Sequence, residues 1–147
     1  LIHTQLEKSF GKIIRLSGDD LRQILNLKGY SKRNRKNIGY IYHNVCKRLS
    51  NNGVNILIDV VCLFKDIRKQ NRKYLKNYIE VYIETDFKKV IRKKNKPFYR
   101  KKIKNVWGKD LTAELPTRPD ILIKNDFKRS INLISKDLLR EIKKYKI

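Results

Sequence analysis

The sequence predicts an α/β protein in which helices cover both faces of a parallel β-sheet. Short apolar segments alternate along the chain with segments whose apolar residues recur at helical spacing, and short turns join them. Parallel strands need helical crossovers, so such a sheet lies between two helical layers. At 147 residues, with no evident linker, residues 1–147 are expected to form a single domain.

The first predicted elements lie within residues 1–29. Residues 1–10 carry apolar side chains on one side of a helix, and Gly11 is a typical residue for ending it. Residues 12–17 form a short strand. We expect Asp19 to cap the next helix, whose apolar residues recur at helical spacing until Gly29 breaks the pattern.

A long helix and a buried strand are predicted next. Ser31 is a good helix cap, the helical pattern continues to Asn52, and Gly53 ends it. The apolar residues at helical spacing predict a buried stripe, which consists of Ile38, Ile41, Val45 and Leu49. Residues 54–59 are apolar enough for a strand that is covered on both faces.

The second half of the chain alternates in the same way. The predicted elements are a helix at 63–75, a strand at 78–84, a short helix at 86–94, a strand at 120–124 and a helix at 127–146. The basic stretch 95–117, which contains two prolines, favours a loop. Because ligands of parallel sheets bind beyond the carboxyl ends of the strands, functional residues are expected at 17–22, 59–65, 84–86 and 95–110.

Net charge limits the classes of partner. The chain has 37 Lys and Arg residues against 14 Asp and Glu, a formal charge of +23, which attracts nucleotides, other small anions and nucleic acid. The basic residues are spread along a sequence rich in Lys, Asn and Ile, a composition that AT-rich coding also produces. We therefore favour a small anionic ligand, and nucleic acid stays open as an alternative.

Three absences favour a cytoplasmic protein without membrane contact. No apolar run reaches the roughly 20 residues of a membrane helix, and the opening residues lack the order of a signal peptide. Cys46 and Cys62 are too few for a disulfide framework or a thiolate metal site.

Two motifs near the first strand can carry chemistry. In Ser17-Gly-Asp-Asp-Leu-Arg22, a carboxylate can accept a substrate hydroxyl proton or help to hold Mg²⁺, and the Arg can bind an anion. The same residues also suit a plain helix start. In the second motif, Tyr30 can stack on a base and Arg35 can bind a phosphate or sulfate. Basic residues are unfavourable at the positive end of a helix, which favours an anion site there.

Other features are weaker. Cys62 follows the second strand, but no His stands at a suggestive position, so a small buried residue is favoured over a nucleophile. The basic run at 92–102 fits a lid that closes over phosphates, and it fits a solvated charged surface equally well. His3 and His43 lack partners at ligand spacing, and no metal is assigned to them.

In their order, these motifs resemble the adenylyl-sulfate kinase family over residues 16–126. Ser17 to Arg22 matches the family's D-G-D-N-x-R, Gly29-Tyr30 its G-F turn, Asn34-Arg35 its D-R pair, and 61–68 its I-S-P-Y-R-x-D-R. In the second half, 78–82 matches F-x-E-V-Y, 96–101 the lid sequence K-G-L-Y-K-K, 103–110 I-K-x-F-T-G-I-D, and 118–123 the strand N-P-D-L-V-I.

The resemblance implies a three-layer, P-loop NTPase-like fold and a role in sulfate assimilation. The reaction would transfer the γ-phosphoryl group of ATP, with Mg²⁺, to the 3′-hydroxyl of adenylyl sulfate or a related nucleotide-linked acceptor. Asp19 would orient or deprotonate that hydroxyl, and residues 95–117 would include the lid. The implied substrate-binding residues are Asp20, Leu21, Arg22, Tyr30, Arg35, Val61, Cys62, Lys96, Asn105 and Val106. The alternative is a catalytically inactive basic module that retains the fold and binds nucleotides or nucleic acid; a homodimer stays open.

Three departures concern the acceptor end. Ser17 replaces the first aspartate of D-G-D, Cys62 replaces the serine of I-S-P, and Ile38 stands where the family has a substrate-binding asparagine. Asn71-Arg72 and the segment 77–82 resemble adenylyl-sulfate-kinase-like proteins of bacterial surface-polysaccharide clusters, to which other nucleotide-linked acceptors are ascribed.

The phosphate-binding loop of the family is the largest departure. G-x-x-x-x-G-K-[ST], whose backbone and side chains hold the phosphates and Mg²⁺, does not occur in the sequence, so no residue is assigned to the cofactor. The chain begins with Leu1 and contains no Met. We expect about 20 to 30 further residues upstream, the size of a strand–loop–helix unit. That strand would lie in the middle of the sheet.

Overall fold

A computed structural model describes residues 2–86, 88–90, 105, 107 and 111–145. Its elements are α1 (Ile2–Phe10), β1 (Ile13–Ser17), α2 (Gly18–Ile24), α3 (Lys32–Asn51), β2 (Asn55–Asp59), α4 (Lys65–Tyr74), β3 (Val81–Glu84), β4 (Ile121–Lys124) and α5 (Ile131–Ile142). Helices and strands alternate, which confirms the predicted α/β class. Of these helices, none is long and apolar enough to cross a bilayer.

The four strands form two parallel pairs. β1 lies beside β2, with Ile13 opposite Asn55 and Ser17 opposite Asp59. β3 lies beside β4, with Val81 opposite Ile121. Within the described part of the chain, no pairing joins β2 to β3. One further parallel strand between the pairs would give the continuous sheet that the sequence predicts, and that strand stays a prediction.

Helices lie on both faces of the first strand pair, β1 and β2. One core joins α1 and α5 to β1 and β4 and consists of Leu6, Ile13, Ile121, Ile123 and Ile142. The other joins α2 and α3 through Leu21, Ile38 and Tyr42, against which Leu16 and Ile58 pack. β1 therefore contributes to both cores, as a strand between two helical layers must. This arrangement confirms the predicted three-layer architecture.

The buried face of α3 differs from the predicted stripe. Its buried residues are Ile38, Tyr42, His43 and Cys46, whereas Ile41, Val45 and Leu49 are half-buried. Two of the buried side chains are polar, and each has a partner. The Tyr42 hydroxyl donates to the Gly18 carbonyl at 2.8 Å, and His43 Nδ1 lies 2.8 Å from Asn71 Oδ1. A polar side chain with a hydrogen bond can replace an apolar one in a core, which the apolar pattern does not reveal.

Helix ends confirm most, but not all, of the predicted caps. Gly11 and Gly53 follow α1 and α3 with φ of 77° and 75°, and the Ser31 hydroxyl accepts the Asn34 N–H at 3.2 Å. The prediction of Asp19 as a cap is wrong. Ser17, in extended conformation, accepts the Asp20 N–H at 3.0 Å, so α2 begins one residue earlier, at Gly18.

Several predicted boundaries extend beyond the observed elements. α4 begins after Phe64 instead of at residue 63, β3 covers only the last residues of 78–84, and α5 begins after the capping Ser130 instead of at 127. Residues 88–90 of the predicted short helix are helical, and the rest of that prediction lies largely outside the described residues. Helix and strand ends are the least predictable part of a pattern because caps and sheet partners decide them.

A charged network joins α4 to the second strand pair. Arg72 donates to both carboxylate oxygens of Asp120, at 3.0 and 3.1 Å, and Asp120 also accepts the Glu80 N–H at 2.8 Å. Burial acts to raise the pKa of Asp120, but these hydrogen bonds and the charge of Arg72 outweigh it and lower that pKa. Asp120 is therefore stabilised as a carboxylate in the folded state.

We expect the stability of the protein to fall in acid partly because of Asp120. A depressed folded-state pKa contributes stability above the unfolded value of about 3.9, and this is lost as pH falls through the folded value. Urea unfolding between about pH 5 and pH 2.5 should show a steeper loss for the wild type than for Asp120→Asn. Equal slopes would show that the Arg72 pairing leaves the pKa of Asp120 unchanged.

Candidate functional site

The carboxyl ends of β1 and β2 meet at one edge of the fold. The two strands are parallel and Ser17 lies opposite Asp59, so the segments that follow them leave the sheet side by side. A Cβ added to Gly18 would lie 3.3 Å from Val60 Cγ1. The close approach of these backbones brings the first turn of α2 against the segment after β2, as the sequence predicts for a ligand site.

Asp19 and Asp20 lie in the first turn of α2, and both are exposed. The backbone that carries them is fixed, because Tyr42 of α3 donates its hydroxyl proton to the Gly18 carbonyl at 2.8 Å. Burial raises the pKa of Tyr42, and the nearby charges of Arg22 and Asp19 also act on it. Asp19 and Arg22 are three residues apart on α2 and so share one helix face, with the Asp19 side chain exposed to solvent.

An ion pair lies beside these carboxylates. Arg15 Nε and Nη2 donate to Asp59 Oδ2 at 3.0 and 2.8 Å across the ends of β1 and β2. The hydrogen bond and charge of Asp59 raise the pKa of Arg15, and the charge of Asp20 adds to this. Both partners are more than half exposed, so the pair contributes little stability. The pair matters for the site itself, because Arg15 neutralises the charge of the Asp59 carboxylate and occupies one of its oxygens.

The turn after α2 presents Tyr30. Gly29 adopts φ 85°, a backbone conformation that residues with a Cβ rarely adopt and that glycine adopts readily. Arg22 Nη1 donates to the carbonyls of Leu27 and Gly29 at 3.2 and 3.3 Å, and its guanidinium carbon lies 4.6 Å from the Tyr30 ring centroid. Tyr30 is 58% exposed, so a base could stack on its ring.

Arg35 connects this turn to a distant segment. Its Nε donates to the Tyr30 carbonyl at 3.0 Å, and its Nη2 donates to the Asn105 carbonyl at 2.9 Å. The guanidinium also lies 5.3 Å from the Tyr30 ring centroid. The structure therefore brings together four of the predicted substrate-binding residues, which are Arg22, Tyr30, Arg35 and Asn105.

Other predicted site residues are placed differently. Leu21 is 4% exposed and packs with Ile38 and Tyr42, so its side chain belongs to the core, and its assignment to substrate binding stays a prediction. Val61 is 70% exposed beyond β2. Burial raises the pKa of the neighbouring Cys62 thiol, which favours the expected packing role over nucleophilic chemistry. Lys96, Val106 and the whole basic run at 92–102 lie outside the described residues.

The sequence reasoning missed two aromatic residues beside the site. Phe64 is 4% exposed, and its ring meets that of Trp107 edge to face, with centroids 5.3 Å apart and planes at 73°. The Arg35 guanidinium lies 5.7 Å from the Trp107 ring centroid. The sequence did contain a sign that Trp107 belongs to the site, because it is the only Trp of the sequence and stands two residues after Asn105.

A second concave region lies at the carboxyl ends of β3 and β4. A cavity of about 420 Å³ opens there, in the predicted segment 84–86. Its lining mixes acids and bases and includes Glu84, Asp86, Lys89, Lys124 and Asp126. In the described part of the chain, no three His, Cys, Asp or Glu side chains are grouped so that they could hold a metal ion.

Comparison with known proteins gives a consistent result. A family model described as adenylylsulphate kinase matches residues 1–124. A cytidine diphosphoramidate kinase of Campylobacter jejuni is 31% identical over 145 residues, which cover 93% of this chain and 85% of that protein. An adenylyl-sulfate kinase of Pseudomonas aeruginosa is 36% identical over 117 residues, or 74% of this chain and 59% of that protein. The APS kinase CysC of Mycobacterium tuberculosis, solved with AMPPNP and APS, superposes with a TM-score of 0.82 at 24% identity, covering 97% of this chain and 86% of that one.

Proposed function

The chain belongs to the adenylylsulphate kinase family, a family of nucleotide kinases, and from this premise we propose that it phosphorylates a hydroxyl group of a nucleotide-linked acceptor with ATP. The observation that carries the proposal is the cluster at the carboxyl end of β1. Asp19, which is exposed, and Arg22 stand three residues apart on α2, a spacing that puts them on one helix face, and the Arg22 guanidinium carbon lies 4.6 Å from the centroid of the exposed Tyr30 ring. These groups suit a hydroxyl to be deprotonated, an anionic group and a base.

Each residue has a role in this proposal. Asp19 orients the acceptor hydroxyl and accepts its proton as the phosphoryl group is transferred. Arg22 faces the anionic part of the acceptor, since a guanidinium suits phosphate-like oxygens. Tyr30 stacks on the base. Binding the acceptor between these groups would place its hydroxyl for in-line attack on ATP.

We put cytidine diphosphoramidate first as the acceptor and adenylyl sulfate second. The relative named after the former aligns with 93% of this chain. At two positions the resemblance implies a polar residue that contacts the acceptor, but in this chain the residue at each of them serves the fold instead. The Ser17 hydroxyl accepts the Asp20 N–H at 3.0 Å, and the Ile38 side chain is 6% exposed in the core. Both features favour an acceptor other than adenylyl sulfate.

The donor half of the reaction requires groups that these residues do not supply. The sequence contains no G-x-x-x-x-G-K-[ST], so the proposal assigns none of its residues to the phosphates of ATP or to Mg²⁺. The proposal includes a further parallel strand between β2 and β3 that ends in such a loop. Each of these strands pairs on one side only within the described residues, which supports this arrangement.

A panel of acceptors tests the proposal. The full-length gene product, incubated with labelled ATP and Mg²⁺, should transfer label to cytidine diphosphoramidate or adenylyl sulfate. We expect kcat/KM for the preferred acceptor to exceed that for CMP or AMP by about 10²-fold, because these lack the terminal phosphoramidate or sulfate and the contacts that it makes in the site. Absence of transfer to every nucleotide-linked acceptor, with ATP bound, would contradict the proposal. A preference for adenylyl sulfate would reverse the order of the two acceptors.

A further inference from the structure

Three segments that are distant in the sequence converge around Arg35. They are the Gly29–Tyr30 turn before α3, Phe64 at the start of α4, and the pair Asn105 and Trp107. The contact between Arg35 and Asn105 spans 70 residues of sequence. No helix or named strand of the described residues includes Asn105 or Trp107, and their contacts include those with Arg35 and Phe64 and an isolated β-bridge from Trp107 to Leu111.

The guanidinium of Arg35 donates hydrogen bonds to the backbone of two of these segments, at Tyr30 and at Asn105. Its Nε donates to the Tyr30 carbonyl at 3.0 Å and its Nη2 to the Asn105 carbonyl at 2.9 Å. A planar guanidinium is rigid, so these two bonds fix the distance between the two carbonyl groups. Asn105 has a φ of 63°, in the left-handed region that few residues other than glycine adopt. The surrounding contacts, among them the hydrogen bond from Arg35, hold the residue in this conformation.

Aromatic contacts add to the same connection. The guanidinium carbon of Arg35 lies 5.3 Å from the ring centroid of Tyr30 and 5.7 Å from that of Trp107. Both distances are within the range of a cation–π interaction. Trp107 in turn packs edge to face on the buried Phe64. Arg35 thus contacts the Tyr30 turn through a carbonyl and a ring, and it contacts Asn105 through its carbonyl and Trp107 through its ring.

We propose that Arg35 is a positioning residue, which joins the Tyr30 turn to Asn105 and Trp107 and thereby assembles the acceptor pocket. This differs from direct binding of the acceptor's anion, the role that the family resemblance implies for this position. The effect on acceptor binding rests on the proposed function, but the joining of the two segments does not. Without Arg35 the Tyr30 ring and Trp107 would no longer be held at a fixed separation.

The substitution Arg35→Lys separates the two roles. Lysine keeps the positive charge that an anion needs, but its ammonium group cannot reproduce the planar, two-directional donation of a guanidinium. Arg33→Lys is the matched control, because Arg33 lies in the same first turn of α3 and is exposed. Trp107→Phe, introduced alone and together with each variant, assigns the fluorescence signal to Trp107.

In the ligand-free protein, we expect Arg35→Lys to shift the emission of Trp107 and to raise its quenching by acrylamide about two-fold, since the segment is released from a packed site. With the full-length enzyme, the KM for the acceptor should rise about ten-fold, while the KM for ATP changes little. Arg33→Lys should leave both measurements at their wild-type values. Circular dichroism should show that both variants are folded.

Two results would overturn the proposal. Unchanged Trp107 emission and quenching in Arg35→Lys would show that the segment is held without Arg35, even if acceptor binding weakened. Loss of folding in both Arg35→Lys and Arg35→Gln would show a general role in stability. If the wild-type enzyme phosphorylates no nucleotide, the proposed function fails, and the ligand-free fluorescence still decides whether Arg35 positions the segment.

Discussion

Asp19→Asn is expected to lower kcat of the full-length enzyme by about 10²-fold or more, which is the usual contribution of a positioned general base. The amide keeps the size and hydrogen-bonding reach of the carboxylate but cannot accept the proton of the acceptor hydroxyl. Asp19 is exposed in the first turn of α2, so its loss should cost at most about 1 kcal/mol of favourable interaction with the helix dipole. Steady-state kinetics with ATP and the preferred acceptor measure the effect.

Two other carboxylates serve as comparisons. Asp20 lies on the same turn, and Asp20→Asn should raise the KM for the acceptor more than it lowers kcat, because a binding residue is removed. Asp137 lies on α5 in ion pairs with Arg129 and Arg140, and Asp137→Asn should leave the kinetics unchanged. Full activity of Asp19→Asn would remove Asp19 from the chemistry and would leave acceptor binding as the only role of this turn.

The sequence predicted the element types well because they depend on local signals. Apolar runs marked the strands, and Gly11, Ser31 and Gly53 marked helix ends where a left-handed residue or a hydroxyl is needed. The start of α2 was missed because two good capping residues, Ser17 and Asp19, stand close together. The extended backbone of Ser17 decided between them, and sequence alone does not show it.

The site was predicted less completely, for a different reason. Arg22 lies on α2 and Tyr30 in the turn that follows, only eight residues later, so the local sequence brings them together. The link from Arg35 to Asn105 spans 70 residues and depends on how the chain returns to the sheet edge. The same holds for Phe64 and Trp107, whose contact no local pattern indicates. Residues that act through long-range packing are visible only once the fold is known.

The second large effect is expected in stability, at Glu80. This residue precedes β3, is 9% exposed and lies between two cations. Its Oε1 lies 3.5 Å from Arg68 Nε and its Oε2 3.4 Å from Arg72 Nη2. The Arg68 side chain is 9% exposed and also donates to the Cys62 carbonyl at 3.1 Å. The carboxylate thus neutralises a buried guanidinium that holds the segment after β2.

Glu80→Gln should lower the free energy of unfolding by about 3 kcal/mol, because Arg68 would remain buried without a counter-charge. For a chain of this length the corresponding fall in Tm is about 10 °C. Urea unfolding with an unchanged m-value, together with a thermal scan, measures both quantities. Glu84→Gln is the matched control: Glu84 ends β3, the strand that Glu80 precedes, but it is exposed, so its substitution should change stability by less than about 0.5 kcal/mol.

The Glu80 variant also tests whether the network supports the acceptor edge. Released from Glu80, Arg68 would hold the Cys62 carbonyl less firmly, and the exposed Val61 beside it would gain freedom. We expect the KM for the acceptor to rise several-fold at temperatures where the variant is fully folded. A stability loss below about 1 kcal/mol would mean that Arg72 and water compensate Arg68, and the network would then have no measurable role in holding α4 to β3.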